Sequence, residues 1–407
     1  MINNLSRYKP FQAALLLTAA FHVAILLFVF LPYSLGGYND FAMLYTAGKM
    51  VVHGDAENLY NPDKQWEYQQ REFQVPIRQG PLLFNHAPHE ALIFALFASL
   101  PFRAAFWTWT TANIVMLLAI GYLLRAYLEM LLPHWAWLLI IGIAWGPALL
   151  CLIQGQDSIL ILFLYVAAFW SWKRNHLMLT GVFLSAVLIK PQLVLPFVVI
   201  LILRREWRVI AGFASGTAVL ALASGAVVGY KTILGYVTFL RYFDRLPALK
   251  SAAAPANMPN LRGLLVTSLS GPVSARALPV IVVLASGLVV IAAARLSKPA
   301  VEETYSAGII ATLLASYHLY SYDVTLLLLP VILSFGHWPK FSQRWPQTLI
   351  FLCSVLPWFV FYVLMTATIY HEANLLALLL LGFGVMIWWQ TRIAPLVLSN
   401  RVPENVE

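Results

Sequence analysis

The chain has 407 residues, 61% of them hydrophobic and only 11% charged, where a soluble domain carries about 25% charged residues. So apolar a chain cannot cover itself with polar surface in water, and lipid is its expected solvent. The excess of 26 Lys+Arg over 17 Asp+Glu then reads as membrane topology, since no basic arm or aromatic-basic motif points to nucleic acid; Cys151 and Cys353 lie in apolar runs and read as core residues, not as a disulfide framework or metal site.

A spanning helix needs roughly 20 apolar residues, and the many such runs favour helices over a barrel. The first, from about Phe11 to Pro32, follows Arg7 and Lys9 and has no small-residue cleavage motif after it, so it is expected to stay as an uncleaved helix. A long first outer loop follows over 33–103, the most polar part of the chain. It carries Asp40, Asp55, Glu57, Asp63, Glu67 and Glu72, with turn signals at Gly36-Gly37, Gly54 and Asn61-Pro62. Phe41, Leu44, Tyr45, Val51 and Tyr60 suggest that it packs. Its last part, 88–102, is laid along the outer interface as an amphipathic juxtamembrane helix. Further helices are expected near 104–124, 133–151, 158–172, 177–190, 192–203, 208–229, 273–295, 304–318, 323–336, 347–369 and 373–391, with a frayed tail after Arg392. The break at Lys190-Pro191 follows from proline, which cannot continue a helix interior. The second outer loop, 230–272, has an aromatic part through Tyr236, Phe239, Tyr242 and Phe243 that reads as an interfacial helix. Its Ala252–Asn260 part reads as mobile, a lid or acceptor loop carrying Asn257 and Asn260. We expect an all-α polytopic membrane protein of about 11–13 transmembrane helices, one domain over 1–407.

Charge supports this threading. With the N-terminus inside, inner loops hold Arg7, Lys9, Arg125, Lys173, Arg174, Arg204, Arg205, Arg208, Arg295, Lys298, Lys340, Arg344, Arg392 and Arg401. Of the other Lys/Arg, only Lys190 lies at a short outer connection; the rest fall in or beside the two long outer segments, where the rule is weak.

Asp40 stands out: an acid only a few residues past the first helix, near the membrane surface, where burial can tune its pKa. It could equally be the N-cap of a helix starting at Phe41. Four other polar clusters map to the same side: Phe84–Glu90 with His86; Gln154-Gly155-Gln156-Asp157; Lys190; and Tyr317–Asp323 with His318 and Tyr322. Each has a bland reading: Asp157 and Asp323 as caps, His318 as a satisfied histidine, Lys190 as a snorkelling anchor. Their agreement on one face points instead to a working site, because ionisable groups at membrane depth are expensive.

The order of motifs resembles integral-membrane glycosyltransferases of the GT-C superfamily, and specifically family 87, the polyprenyl-phosphate-mannose-dependent mannosyltransferases. Asp40-Phe41, Tyr45, Ala47, Gly54 and Leu59-Tyr60 are similar to that family's pattern after the first helix. Phe84–Pro88 resembles its aromatic-proline segment, though His86-Ala87-Pro88 stands where Tyr-Pro-Pro is usual. Gly155-Gln156 matches its Gly-Gln turn, with Asp157 where Asn is more common. Gly181, Lys190-Pro191 and Arg204-Arg205-Glu206-Trp207-Arg208 match its broken-helix stretch, and Tyr322-Asp323 with Pro330 its late segment.

The resemblance implies the GT-C fold and an inverting transfer of a hexose, mannose first, from a polyprenyl-monophosphate donor to a glycolipid or glycan hydroxyl at the outer face. Asp40 would be the general base. Lys190, His318, Tyr322, Arg245 and Arg262 would hold the donor phosphate, with Arg241 and Lys250 as further candidates. Tyr45, Tyr60, His86, Gln156, Asp157, Asn257, Asn260 and Asp323 would line the substrates. No cofactor and no metal is expected, since no clustered acidic pair shows ligand spacing. The expected partners are the lipid-linked donor, the acceptor and membrane lipids, with the chain a monomer in a bacterial inner membrane, its site periplasmic and both termini cytoplasmic. A transporter or flippase of a lipid-linked or glycolipid substrate is the alternative, disfavoured because no two halves match in hydropathy. A structural subunit would not need Asp40, and a ligase using a diphosphate-linked donor would favour more arginines around the site.

Overall fold

The computed structural model describes residues 9–73, 81–129, 132, 134–243, 255–269, 276–296, 300–337 and 373–399. Every regular element among them is helical, and the chain is an all-α polytopic membrane protein. The first helix, α1 (Lys9–Ile25), runs on through a π-turn at Leu26–Phe30 into α2 (Leu31–Leu35). Four described helices are individually long and apolar enough to cross a membrane: Gln12–Leu35, α6 (Phe102–Leu123), α13 (Trp207–Val228) and α16 (Ala277–Ala294). Their outer faces are apolar, with Leu17, Phe28, Val219, Leu222, Val283 and Leu288 all exposed, as lipid contact requires.

The expected helix at 133–151 is two helices, α8 (Trp137–Ala144) and α9 (Gly146–Gln154), bent by 82°. Pro147 is the cause. It has no N–H to bond the carbonyl of Ile143, and the His22 imidazole of α1 takes that carbonyl instead, at 2.7 Å. The break at Lys190-Pro191 falls where the sequence put it, between α11 (Leu177–Ala186) and α12 (Leu195–Leu203), with short 3-10 turns on either side. It also releases a carbonyl. Ile189 O is taken by the backbone N–H of Ala87 at 3.3 Å. Both broken helices are thus sewn to neighbours by carbonyls at the break, although the acceptor that Pro191 itself leaves, Val187 O, is taken locally by the Lys190 N–H.

The segment over 33–103 is packed in its described part, as its apolar residues suggested. It holds α3 (Phe41–Val52), α4 (Pro62–Glu72) and α5 (Pro88–Ala98). The Asn61 side chain caps α4, accepting from the N–H groups of Asp63 and Lys64, with Pro62 at the first helical position. A second core forms here from Phe41, Leu44, Tyr45, Phe84, Phe94, Phe106 and Trp109, apart from the main core, which runs from Leu15 of α1 through α18 (Leu328–His337) to Ile387 of the last described helix. Phe41 is fully buried, worth about 1.5–3 kcal/mol. α3 and α5 cross so closely that a Cβ on Gly48 would lie 2.5 Å from the backbone of Phe94.

Two expectations are corrected. α5 is not amphipathic: its only polar side chains are His89 and Glu90 at the first turn, Glu90 is buried, and its one exposed large residue is Leu96. It is an apolar helix wedged against α3. The stretch at 255–260 is not a loose lid either. It forms a 3-10 turn, Pro255–Asn257, and buries Met258 and Asn260. α14 (Tyr230–Phe243) is the aromatic helix expected there. The last described helix, α19 (Leu376–Ser399), continues past Arg392. The expected helix at 347–369 lies outside the described residues.

Candidate active site

Asp40 occupies the N-cap position of α3, but its carboxylate makes no capping bond. It is turned toward the start of α10 (Ser158–Lys173), where Oδ2 accepts a hydrogen bond from Gln156 Nε2 at 2.9 Å. Its backbone N–H donates to Gln154 Oε1 at 3.2 Å. The neighbours are fixed to the same turn: Ser34 Oγ and Asn39 Nδ2 both donate to Ile153 O, at 2.8 and 3.1 Å. Gly155 closes α9 in the left-handed conformation, φ +63. A Cβ there would lie 2.6 Å from that of Phe41. Glycine is required twice over, by the backbone angle and by the approach of the Asp40-Phe41 segment.

Gln156 is a bridge. Its Oε1 accepts from Lys190 Nζ at 3.1 Å. Lys190 also meets Asp157 Oδ1 at 2.5 Å and Asp323 Oδ1 at 3.0 Å, and its ammonium lies over the Tyr322 ring, 4.8 Å from the centroid. Lys190 is 2% exposed and Gln156, Asp157 and Asp323 are not exposed at all. Lys190 therefore does not snorkel, and its three N–H bonds have protein acceptors, so the geometry directs it at carboxylates and not at an open phosphate site. Asp157, at the N-cap of α10, makes no side-chain cap. Asp323 divides its oxygens: Oδ2 accepts the Tyr320 N–H at 3.1 Å, while Oδ1 takes Ser158 Oγ at 2.8 Å beside Lys190.

The Phe84–Glu90 segment closes the network from the other side. His86 Nδ1 is hydrogen-bonded to the Glu90 carboxyl and lies 3.9 Å from Asp157 Oδ2. Burial pushes the His86 imidazole down to about 4, against the opposing pull of Asp157. Burial first, and then the Asp157 carboxylate, hold Glu90 well above the usual carboxylate range. The His86–Glu90 contact is thus a neutral pair, not a salt bridge. Tyr60 Oη donates to His86 O at 2.8 Å, and Tyr236 Oη to Asn85 O at 3.2 Å.

The fold thus brings together Asp40, His86, Gln156, Asp157, Lys190, Tyr322 and Asp323, with Tyr60 holding the backbone behind them. Tyr45 faces elsewhere, donating to Leu100 O at 2.8 Å beside Glu72. Asn260 and Arg262 clamp the turn that carries His318. Asn260 Nδ2 donates to Ser316 O at 2.7 Å while its Oδ1 accepts the Gly263 N–H. Arg262 donates to Tyr317 O at 3.0 Å and stacks on the Tyr317 ring. Asn257 ends the 3-10 turn beside them. Arg245 and Lys250 lie outside the described residues.

Three participants were not singled out from sequence: Gln154, Ser158 and Glu90. Gln154 and Glu90 sit inside stretches already marked as polar clusters, and Glu90 lies four residues after His86, the spacing of one helical turn. The expectation that no ligand-spaced group exists is revised as well. His86, Glu90 and Asp157 each present a ligand atom within 4.8 Å of the others, a grouping across 71 residues of chain that linear spacing hides. Asp40 differs from its neighbours in access. It is partly exposed, whereas the other carboxylates of the network are buried.

The sequence model of glycosyltransferase family 87 matches residues 84–330. That span takes in His86, Glu90, Gln156, Asp157, Lys190, Tyr322 and Asp323, and leaves out Asp40 and Tyr60. No curated protein and no solved structure matches the chain.

Proposed function

The chain belongs to glycosyltransferase family 87 and is a glycosyltransferase, and from that premise we propose that it transfers a hexose, mannose first, from a polyprenyl-monophosphate donor to a glycolipid or glycan hydroxyl, with Asp40 as general base. One observation carries the base assignment. Asp40 is the acid of this network that is partly exposed, its carboxylate is free of the capping duty its position would suggest, and Gln156 holds it in a fixed orientation.

In the transfer, Asp40 takes the acceptor O–H proton as that oxygen bonds to the anomeric carbon. The bond from that carbon to the phosphate oxygen breaks, and the polyprenyl phosphate leaves as an anion. A one-step displacement inverts the centre, so a β-linked donor yields an α-linked product. The leaving phosphate needs donors near the mouth of the site. Arg262, His318 and Tyr322 are the described candidates, and Arg245, outside the described residues, is the other. Lys190 acts from beneath, setting the positions of Gln156, Asp157 and Asp323. The site faces the periplasm of a bacterial inner membrane in this reading, with both termini cytoplasmic and the chain working as a monomer.

The test is an assay of the purified protein in lipid with radiolabelled polyprenyl-phosphate mannose and a lipid extract. Asp40→Asn should lose about 10²–10⁴-fold in rate while melting with wild type, because no capping bond is lost. Equal transfer by both proteins removes Asp40 as the base. No transfer by wild type from any polyprenyl-monophosphate sugar overturns the donor class.

A further inference from the structure

The buried charges of the network do not balance. Glu90, Asp157 and Asp323 are fully buried, and among the described residues Lys190 is the one lysine or arginine that pairs with them. Ionised together, the three acids would carry two negative charges more than Lys190 balances, and burial beside Asp157 keeps a proton on Glu90 instead. Lys190 serves one side of the group, through Asp157 Oδ1 and Asp323 Oδ1. The opposite side has no such partner. Glu90 Oε1 and Asp157 Oδ2 are buried with no N–H or hydroxyl donor among the described residues, and the Glu90 and Asp157 carboxyls face each other across a hydrogen bond that needs a proton on Glu90. Buried polar atoms in folded proteins nearly always have partners, and buried charges are paired or coordinate metals. His86 completes the same corner. Its Nδ1 points at Glu90 and lies 3.9 Å from Asp157 Oδ2.

We propose that His86, Glu90 and Asp157 form a binding site for one divalent transition-metal cation. A dication that displaced the Glu90 proton would match the two charges that Lys190 leaves. An imidazole with two carboxylates suits manganese, zinc or ferrous iron better than calcium or magnesium, which prefer oxygen alone. Ligand atoms within 4.8 Å of one another would draw in around an ion about 2.0–2.2 Å from each. Asp157 then bridges two cations, with Oδ1 on Lys190 and Oδ2 on the metal. The ion would also staple the first turn of α5 to the first turn of α10, fixing the wall behind Gln156 and Asp40. The inference goes beyond the transfer reaction and does not depend on which donor or acceptor is used.

The experiment reads metal, not turnover. The full chain is purified in lipid nanodiscs, stripped with EDTA, incubated with Mn²⁺ or Zn²⁺, desalted and assayed by elemental mass spectrometry. Wild type should retain about one ion per chain. The double variant His86→Ala/Glu90→Gln should retain less than about a tenth of that. Because the double variant may fold poorly, the melting midpoint of stripped wild type is measured alongside. It should rise on adding Mn²⁺ or Zn²⁺ as ligand linkage requires, and stay unmoved by Ca²⁺. Equal retention by wild type and double variant, or no retention and no rise in wild type, overturns the proposal; the second result would leave a proton between Glu90 and Asp157 as the compensating charge. A wild type inactive toward every sugar donor but retaining the ion would leave the metal site standing.

Discussion

α10 carries a polar cluster at each end, and the two are built differently from the same side-chain types. At its last turn Lys173 meets Glu302 Oε1 at 2.7 Å, and Tyr127 Oη donates to the same oxygen at 2.6 Å. One acid has one ammonium and one phenol, and Lys173 is 44% exposed. At the first turn Asp157 shares Lys190 with Asp323, faces Glu90, and sees no solvent. The first arrangement ties α7 (Arg125–Leu128) and α10 to α17 (Val301–Ala315) at little cost, since the buried Glu302 is matched by one ammonium and one phenol and the lysine stays open to water, where an ion pair is worth about 0–1 kcal/mol. The second is costly, because removing charges from water exceeds what pairing returns unless each is matched. A fold keeps an unmatched buried acid cluster where chemistry uses it.

The contrast can be broken by mutation. Lys190→Met leaves Asp157 and Asp323 buried without their ammonium and should destabilise by about 3–5 kcal/mol, read as a large drop in the melting midpoint. Adding Asp157→Asn to it should recover part of the loss; a midpoint unchanged in the single variant would show that the acids are already neutral. Gln156→Leu removes the link between Asp40 and Lys190 while keeping side-chain bulk. It should reduce kcat/KM by about 10–100-fold, the equivalent of a hydrogen bond to a charged group of about 1.5–3 kcal/mol, with a smaller effect on melting. Tyr60→Phe deletes the hydrogen bond to His86 O and should cost about 0.5–1.5 kcal/mol in stability. Lys173→Met, at the opposite end, should change stability by less than about 1 kcal/mol and leave transfer unaltered. A Lys173 effect as large as that of Lys190 would erase the distinction between the two ends.

The membrane class, most helices and the conspicuous loop were legible because each has a local signal: apolar length, turn residues, proline. The break at Lys190-Pro191 is legible from proline, whereas the equivalent signal at Pro147 is hidden inside an apolar run. The apolar α5 is not legible as such, because its buried face is set by α3, which no local period reveals. Asp40 could be picked out but not assigned, since the same residue type at the same place caps a helix or serves a site.

Which of those it does was decided by contacts far apart in the chain. Asp40 meets Gln156 across 116 residues, and Lys190 meets Asp323 across 133. By itself the sequence determined that this chain lives in lipid as broken helices, because apolar content and proline act locally. Only the tertiary structure decided that Asp40 leaves its cap for Gln156, that Lys190 turns inward to two carboxylates, and that Glu90 joins His86 and Asp157. A buried polar group takes whichever partner the packing brings within about 3 Å, and packing is a property of the whole fold.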